Sequence, residues 1–122
     1  MFHRPLPALS RAVEVQIAGQ RRLYISGTAS IDPGGVSAHR GDTDGQINLA
    51  MAVVKALLES RRMTWADAAR SIAYFKDRAD VPSFNAYCRT QRIAGLKTTT
   101  EQATLCREEL LFEIELDAYT IS

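Results

Sequence analysis

Glu113, Glu115 and Asp117 are the residues of this sequence whose type and spacing most plainly offer chemistry. They alternate with Phe112, Ile114, Leu116 and Ala118. Strict period-two alternation reads as a half-buried β-strand, because successive side chains leave opposite faces of the pleat. The three carboxylates then stand in a row on one face, neighbours about 7 Å apart. Such a row is ordinarily the solvated outer face of an antiparallel strand. A carboxylate of the row that lines a cleft instead can do acid–base work, if partial burial or a nearby like charge lifts its pKa.

The other reactive side chains are scattered. Cys106 lies at the turn into the acidic strand, and no histidine adjoins it in sequence to form a thiolate. Cys88 falls on an apolar helical stripe and reads as a small core residue. His39 stands alone in a glycine-flanked loop, open to a cleft role or to none, and His3 lies near the N-terminus. Two histidines so far apart make no metal site by spacing, and the cysteines lack metal-ligand spacing, so neither metal nor cofactor is expected. Asn85 either lines a cleft or occupies the polar side of its helix.

The elements that must position these groups follow in order. Residues 1–11 hold two prolines and read as a loose lead-in. Val13, Val15 and Ile17 alternate with polar residues as a first strand. Gly19-Gln20 reads as the tight turn of a hairpin, and Leu23 to Ile25 as its return strand. Residues 28–42 form a long loop, with Asp32-Pro33-Gly34-Gly35 as a strong turn. No GK[ST] follows, so this is not a phosphate loop. Thr43 and Gln46 fit a capping box. The helix after it carries Ile47, Ala50, Met51, Val54 and Leu58 on one stripe. A short capped turn at Thr64–Asp67 places Trp65 at the helix–sheet junction. Ser71 to Lys76 reads as a central strand. Asp80 and Pro82 open a second helix, with Val81, Phe84, Tyr87 and Cys88 as its buried stripe and Gly95 as its stop. Thr98 to Leu105 is a strand by composition. The order is β-β-α-β-α-β-β, an α+β domain with both helices on one face of one sheet. Tyr24, Tyr74, Val13 and Leu111 cannot all face those helices, so the second face calls for an oligomer.

The chain has 122 residues with 46% hydrophobic and 24% charged side chains, which bounds it to one domain, residues 1–122, with a modest core. The net charge is +1 and no basic tract occurs, which argues against nucleic acid and membrane surfaces as partners. No apolar run reaches the length of a membrane span. The first residues lack the apolar core of a secretion signal, so a cytoplasmic location is the expectation.

Leu23-Tyr24-Ile25-Ser26-Gly27, the helix carrying Gln46, Tyr74-Phe75-Lys76-Asp77 followed by Phe84-Asn85, and Phe112-Glu113-Ile114-Glu115 occur in order at suitable spacing. Together they resemble the reactive intermediate deaminase family (Rid, also YjgF or L-PSP) over about residues 12–120. The resemblance implies a chorismate-mutase-like fold assembled as a homotrimer. It also implies small-metabolite clefts between subunits and, in the deaminases, hydrolysis of enamines and imines to a carbonyl product and ammonia. Some relatives carry the label of endoribonuclease. Carried over by position, Ser26 and Gly27 line the cleft, Asn85 is a cleft asparagine, and Glu113 handles the attacking water. The family's deaminases hold an arginine where this sequence has Thr98, with Lys97 beside it. A lysine point charge does not reproduce the two parallel hydrogen bonds a guanidinium gives a carboxylate. Lys97 then either substitutes as the anchor for an anionic metabolite or is a surface lysine. A narrower resemblance links Gly27 to Ile31, Ser37, His39, Gly41-Asp42, Gln46 and Cys106 to Glu113 with the C-terminal half of chorismatases. Those enzymes hydrolyse chorismate, an enol ether, and the resemblance adds His39 and Cys106 as cleft candidates. A binding module without catalysis is the remaining class.

Overall fold

The computed structural model describes residues 2–5, 12–93 and 96–121. Gly95, the expected stop of the second helix, lies outside them. The elements are β1 (Phe2–Pro5), β2 (Ala12–Ile17), β3 (Gln20–Ala29), α1 (Thr43–Ser60), β4 (Ala68–Phe75), α2 (Val81–Thr90), β5 (Thr98–Gln102) and β6 (Phe112–Ile121). From β2 onward this is the expected β-β-α-β-α-β-β order. Within the stretch read as a lead-in, Phe2–Pro5 pairs antiparallel with β2. The strands form one sheet in the order β1-β2-β3-β6-β4-β5. All pairs are antiparallel except β4 with β5, whose parallel crossover is made by α2.

β6 lies at the centre, between β3 and β4. Its alternation decides which face is the core. Phe112, Ile114, Leu116 and Ala118 are buried against the helices, while Glu113, Glu115 and Asp117 are half-buried on the other face. Leu23, Ile25, Ala73 and Phe75 share the helix face with Ile47, Ala50, Met51, Val54 and Leu58 of α1. Phe84 is the buried anchor of α2. It stacks on Phe112 with ring centroids 5.5 Å apart, and Phe75 meets both rings edge-on at 5.4 and 6.0 Å. Trp65 packs against this core from its capped turn, where Thr64 and Asp67 form a capping box.

Among the described residues no helix packs on the opposite face of the sheet. Val13, Ile17, Tyr24, Tyr119 and Ile121 are all large, apolar or aromatic, and more than a third exposed, with Ile121 at 77%. The register puts Val13 beside Tyr24 and Tyr24 beside Asp117, so these residues form one surface with the acidic row.

Several local expectations need correction. The hairpin turn is centred on Ala18-Gly19, both at positive φ (49° and 81°), because Ile17 pairs with Gln20. The loop starts after Ala29, since β3 continues through Thr28. The N-cap of α1 is Asp42, one residue before Thr43, and its carboxylate accepts from the Gly45 N–H at 3.0 Å. Gln46 therefore is not part of a capping box. Asp80 makes no cap bond either; its carboxylate accepts from the Thr43 hydroxyl and ties the starts of the two helices together. β5 stops at Gln102, short of Leu105.

Both helices end in the same way. Arg62 stands at φ 57° with its N–H on Glu59 O, and Met63 N–H reaches Leu58 O. Arg92 stands at φ 58° with its N–H on Arg89 O, and Ile93 N–H reaches Cys88 O. These are Schellman closures with arginine at the left-handed position where glycine is at ease. Arg92→Gly is expected to stabilise the protein by about 0.5–1 kcal/mol, read as a higher urea midpoint at unchanged slope. A lower midpoint would mean that the Arg92 side chain contributes more than its backbone strain costs.

Candidate functional site

The site is built on a break in β3. Between the pairs Ile25–Leu116 and Thr28–Ile114, two residues of β3 stand opposite the single residue Glu115 of β6. This β-bulge consists of Ser26 and Gly27. A bulge bends its strand and re-aims the side chains around it. The Thr28 hydroxyl pins it by donating to Ser26 O at 3.0 Å. Glycine is required here by space. A Cβ at position 27 would stand 2.8 Å from both Cδ and Oε2 of Glu113, so the Glu113 carboxyl lies directly on the Gly27 backbone.

Glu113 is flanked in register by Ala29 on one side and Tyr74 on the other. Ala29, Leu105 and Leu110 form a small buried cluster with Tyr74 against it. The carboxyl thus has polar bulge backbone beside it and a compact apolar patch next to it. The rest of the acidic row is otherwise engaged. Tyr74 donates its hydroxyl to Glu115 at 3.2 Å, and Arg70 sits 3.9 Å from Glu115 and 3.2 Å from Asp117. Burial first, then the Glu115 hydrogen bond and the charges of Glu115 and Glu113, push the Tyr74 hydroxyl above its ordinary pKa. Tyr74 and Arg70 are the residues sequence reasoning missed. Only the β4–β6 register reveals them, because it sets Arg70 beside Asp117 and Tyr74 beside Glu113.

Two loops close the end of the sheet next to this carboxyl, and Gln46 joins them. Its side chain is fully buried. The amide nitrogen donates to His39 O (3.2 Å) and Glu109 O (3.1 Å), and the amide oxygen accepts from Leu111 N–H (2.8 Å). A second tie runs over it at the surface. Ser37 donates to the Glu109 carboxylate at 2.9 Å, Arg40 lies 3.7 Å from the same oxygen, and Arg107 donates to Gly35 O and Ser37 Oγ. The Glu109 backbone N–H, the Ser37 hydroxyl and the two arginines hold the Glu109 carboxyl below its ordinary pKa. Within the first loop, Asp32 caps its own turn as expected, accepting from Gly34 and Val36 N–H.

The candidate residues therefore divide. Ser26, Gly27 and Glu113 come together, and Cys106 follows the buried Leu105 on the adjoining loop as an exposed thiol. His39 is exposed on the other loop, above the first turn of α1, and its backbone carbonyl holds Gln46. Asn85 and Thr98 lie on the helix side of the sheet. They line a cavity of about 260 Å³ with Phe84, Cys88 and Arg89, and Thr98 Oγ1 is 2.7 Å from Ser71 Oγ. The register explains this. Thr98 pairs with Ser71, whose side chain is buried toward the core, whereas Thr99 pairs with Ile72 and shares its face with Glu115. Lys97 is exposed near Tyr119, in a cavity with Asp67 and Ala68. Tyr119 is six residues along β6 from Glu113, about 20 Å. Within one chain, Lys97 and Glu113 do not share a site. Cys88 packs against the core as expected, and burial raises its thiol pKa. No group of three or more His, Cys, Asp and Glu among the described residues is arranged to hold a metal ion.

The class these features define is a small α+β domain with a bulge-seated carboxylate on an open sheet face, and comparison with solved structures assigns the fold. A YjgF-family protein from Mycobacterium tuberculosis is 23% identical, covers 90% of this chain and 85% of its own, and superposes with a TM-score of 0.70. A Rid-family protein of unknown function from Yersinia pestis is 25% identical over 88% of this chain and 83% of its own, with a TM-score of 0.69. A chorismatase is 26% identical over 88% of this chain with a TM-score of 0.75, but the match spans only 35% of the chorismatase. No family model and no curated protein sequence matches. The chain has the YjgF/Rid fold and resembles that family, with a chorismatase among its structural neighbours.

Proposed function

We propose that this chain is the subunit of a homotrimer that binds a small anionic metabolite in clefts between subunits and hydrolyses it at Glu113. The substrate class is an imine or enamine. Glu113 takes a proton from water as the water oxygen attacks the C=N carbon. Glu113 returns that proton to the nitrogen of the carbinolamine, and as the C–N bond breaks the hydroxyl proton passes to the nitrogen, which departs as ammonia and leaves a carbonyl compound. The observation that carries this reading is the Gly27–Glu113 contact, a carboxyl seated against the glycine of a bulge whose other residue is Ser26. The bare sheet face supplies the reason to assemble, since Tyr24, Val13, Ile17 and Tyr119 gain burial only against another copy. Assembly also supplies what one chain lacks. Lys97, Asn85 and His39, which stand apart from Glu113 in one subunit, become available to a neighbour's Glu113 across a cleft. No helix of the described residues is long and apolar enough to cross a membrane, and the proposed setting is the cytoplasm.

A second reading has its own observation. The match to a chorismatase and the segment from Cys106 to Glu113 favour hydrolysis of a chorismate-type enol ether. In that case Glu113 delivers a proton to the vinyl carbon while water adds to the ether carbon, and the resulting hemiketal collapses to a ketone and an alcohol.

Freshly generated 2-aminoacrylate and chorismate, offered separately, distinguish the two. Accelerated release of keto acid and ammonia from the first is the expected result. Turnover of chorismate alone moves the assignment to the second reading. Inertness toward both, with a melting temperature raised by a carboxylate metabolite, leaves a binding module. Light scattering at the mass of three subunits is expected, and a monomer would remove the cleft between subunits on which the proposal depends.

A further inference from the structure

We propose that the open pocket at the C-terminal end of α1 is a separate binding site for a doubly charged oxyanion of the phosphate-monoester class. It has a volume of about 420 Å³ and is lined by Glu14, Arg21, Ser60, Arg61 and Arg62. Glu14 is buried on the helix side of β2, so this pocket lies across the sheet from Glu113 and off the bare face.

The charge does not balance within the pocket. Three guanidinium groups meet one carboxylate, a surplus of two positive charges. Arg21 is already committed. Its Nη1 donates to Arg61 O at 2.6 Å and lies 3.6 Å from Glu14. That arrangement fixes one arginine as a rigid wall and neutralises Glu14. Arg61 and Arg62 remain. Arg61 Nε is buried and has no hydrogen-bond partner among the described residues. Folded proteins rarely leave a buried donor of this kind unmatched.

The ordinary explanation for arginines at a helix C-terminus is that they cover its last carbonyls. Here those carbonyls are served by other groups. Leu58 O accepts from Arg61 and Met63 N–H, Glu59 O accepts from Arg62 N–H, and Arg61 O accepts from Arg21. Leu57 O accepts from the Ser60 hydroxyl as well, so each of these carbonyls has a partner other than the Arg61 and Arg62 guanidiniums. Arg62 also holds a left-handed backbone that glycine would hold without strain. Planar guanidinium forks give an oxyanion paired hydrogen bonds that a halide cannot accept, and the surplus of two positive charges matches a doubly charged phosphate better than a single carboxylate.

The Arg62 and Arg92 closures make the test clean, because glycine at either position suits the backbone. Inorganic phosphate is titrated into the full chain at constant ionic strength while the arginine Nε–Hε resonances are followed by NMR. A saturable shift of the Arg61 signal is expected. Arg62→Gly should weaken that binding at least fivefold, Arg61→Gln should remove the saturation, and Arg92→Gly should leave the affinity unchanged. The proposal is overturned by a shift that does not saturate or that chloride reproduces at the same ionic strength. Saturation by succinate but not phosphate overturns the phosphate class, and an unaltered affinity in Arg62→Gly overturns the site. None of these readouts depends on hydrolysis at Glu113.

Discussion

Glu113→Gln is expected to lower kcat for the proposed hydrolysis by about 10²–10⁴-fold while metabolite binding changes little. The amide keeps the size and the acceptor oxygen of the carboxyl but cannot take a proton from water. The neighbouring carboxylates cannot substitute. Glu115 is held by Tyr74 and Arg70, and Asp117 by Arg70. Gly27→Ala tests the same group without changing it. The new methyl would arrive 2.8 Å from the Glu113 carboxyl, closer than carbon atoms in proteins approach, so the carboxyl has to swing away. Activity should fall in parallel with Glu113→Gln, whereas Asp117→Asn should leave kcat within about threefold. The decisive comparison is the ratio of kcat across the three variants. If Gly27→Ala retains full activity while Glu113→Gln is dead, the carboxyl works from another position and the bulge is only structural. If Glu113→Gln is fully active, Glu113 moves no proton.

What the sequence revealed of this site, and what it hid, has a physical cause. The strand from Phe112 was legible because burial alternates with the pleat, and four apolar residues on one parity leave little freedom. The helices were legible from their apolar stripes, and the Asp32 turn from local chemistry. Each of these is a property of neighbours in sequence. The composition of the site depends on register, which is a property of the whole sheet. Thr98 and Thr99 look alike in sequence, yet one faces Ser71 toward the core and the other faces the acidic side. The same register sets Tyr74 beside Glu113 and Arg70 beside Asp117. A shift of one residue on either strand would have exchanged these sets. The N-terminus of α1 misled for a different reason. Thr43 and Gln46 have the capping-box spacing, but Asp42 to Gly45 has it too, and a carboxylate is the stronger acceptor for a helix N-terminus. Once Asp42 takes the cap, Gln46 is released to turn inward.

That inward turn gives the largest expected effect on stability. Gln46→Leu preserves the size and apolar fit of a fully buried side chain but deletes three hydrogen bonds. Glu109 O and Leu111 N–H lose the partner that this buried side chain gave them, while His39 O keeps only the Asp42 N–H. We expect a loss of roughly 3 kcal/mol, a large part of the roughly 5–15 kcal/mol that holds a domain of this size together. It should appear as a lower urea midpoint and faster amide exchange at residues 37–42 and 109–111. The Arg40–Glu109 ion pair beside it adds little to compensate, because the Arg40 side chain is 68% exposed. Gln46→Glu separates hydrogen bonding from packing. A carboxyl buried there is expected to have its pKa raised. In the protonated form its O–H donates to one of the two carbonyls while its C=O accepts from Leu111 N–H. A group whose folded pKa is raised stabilises most below its unfolded pKa and loses that contribution as pH rises through the folded value. The deficit of Gln46→Glu should therefore be small near pH 4 and grow toward pH 8, while that of Gln46→Leu stays flat. Equal deficits across that range would mean that side-chain volume, and not the three hydrogen bonds, is what residue 46 contributes to joining the loops beside Glu113.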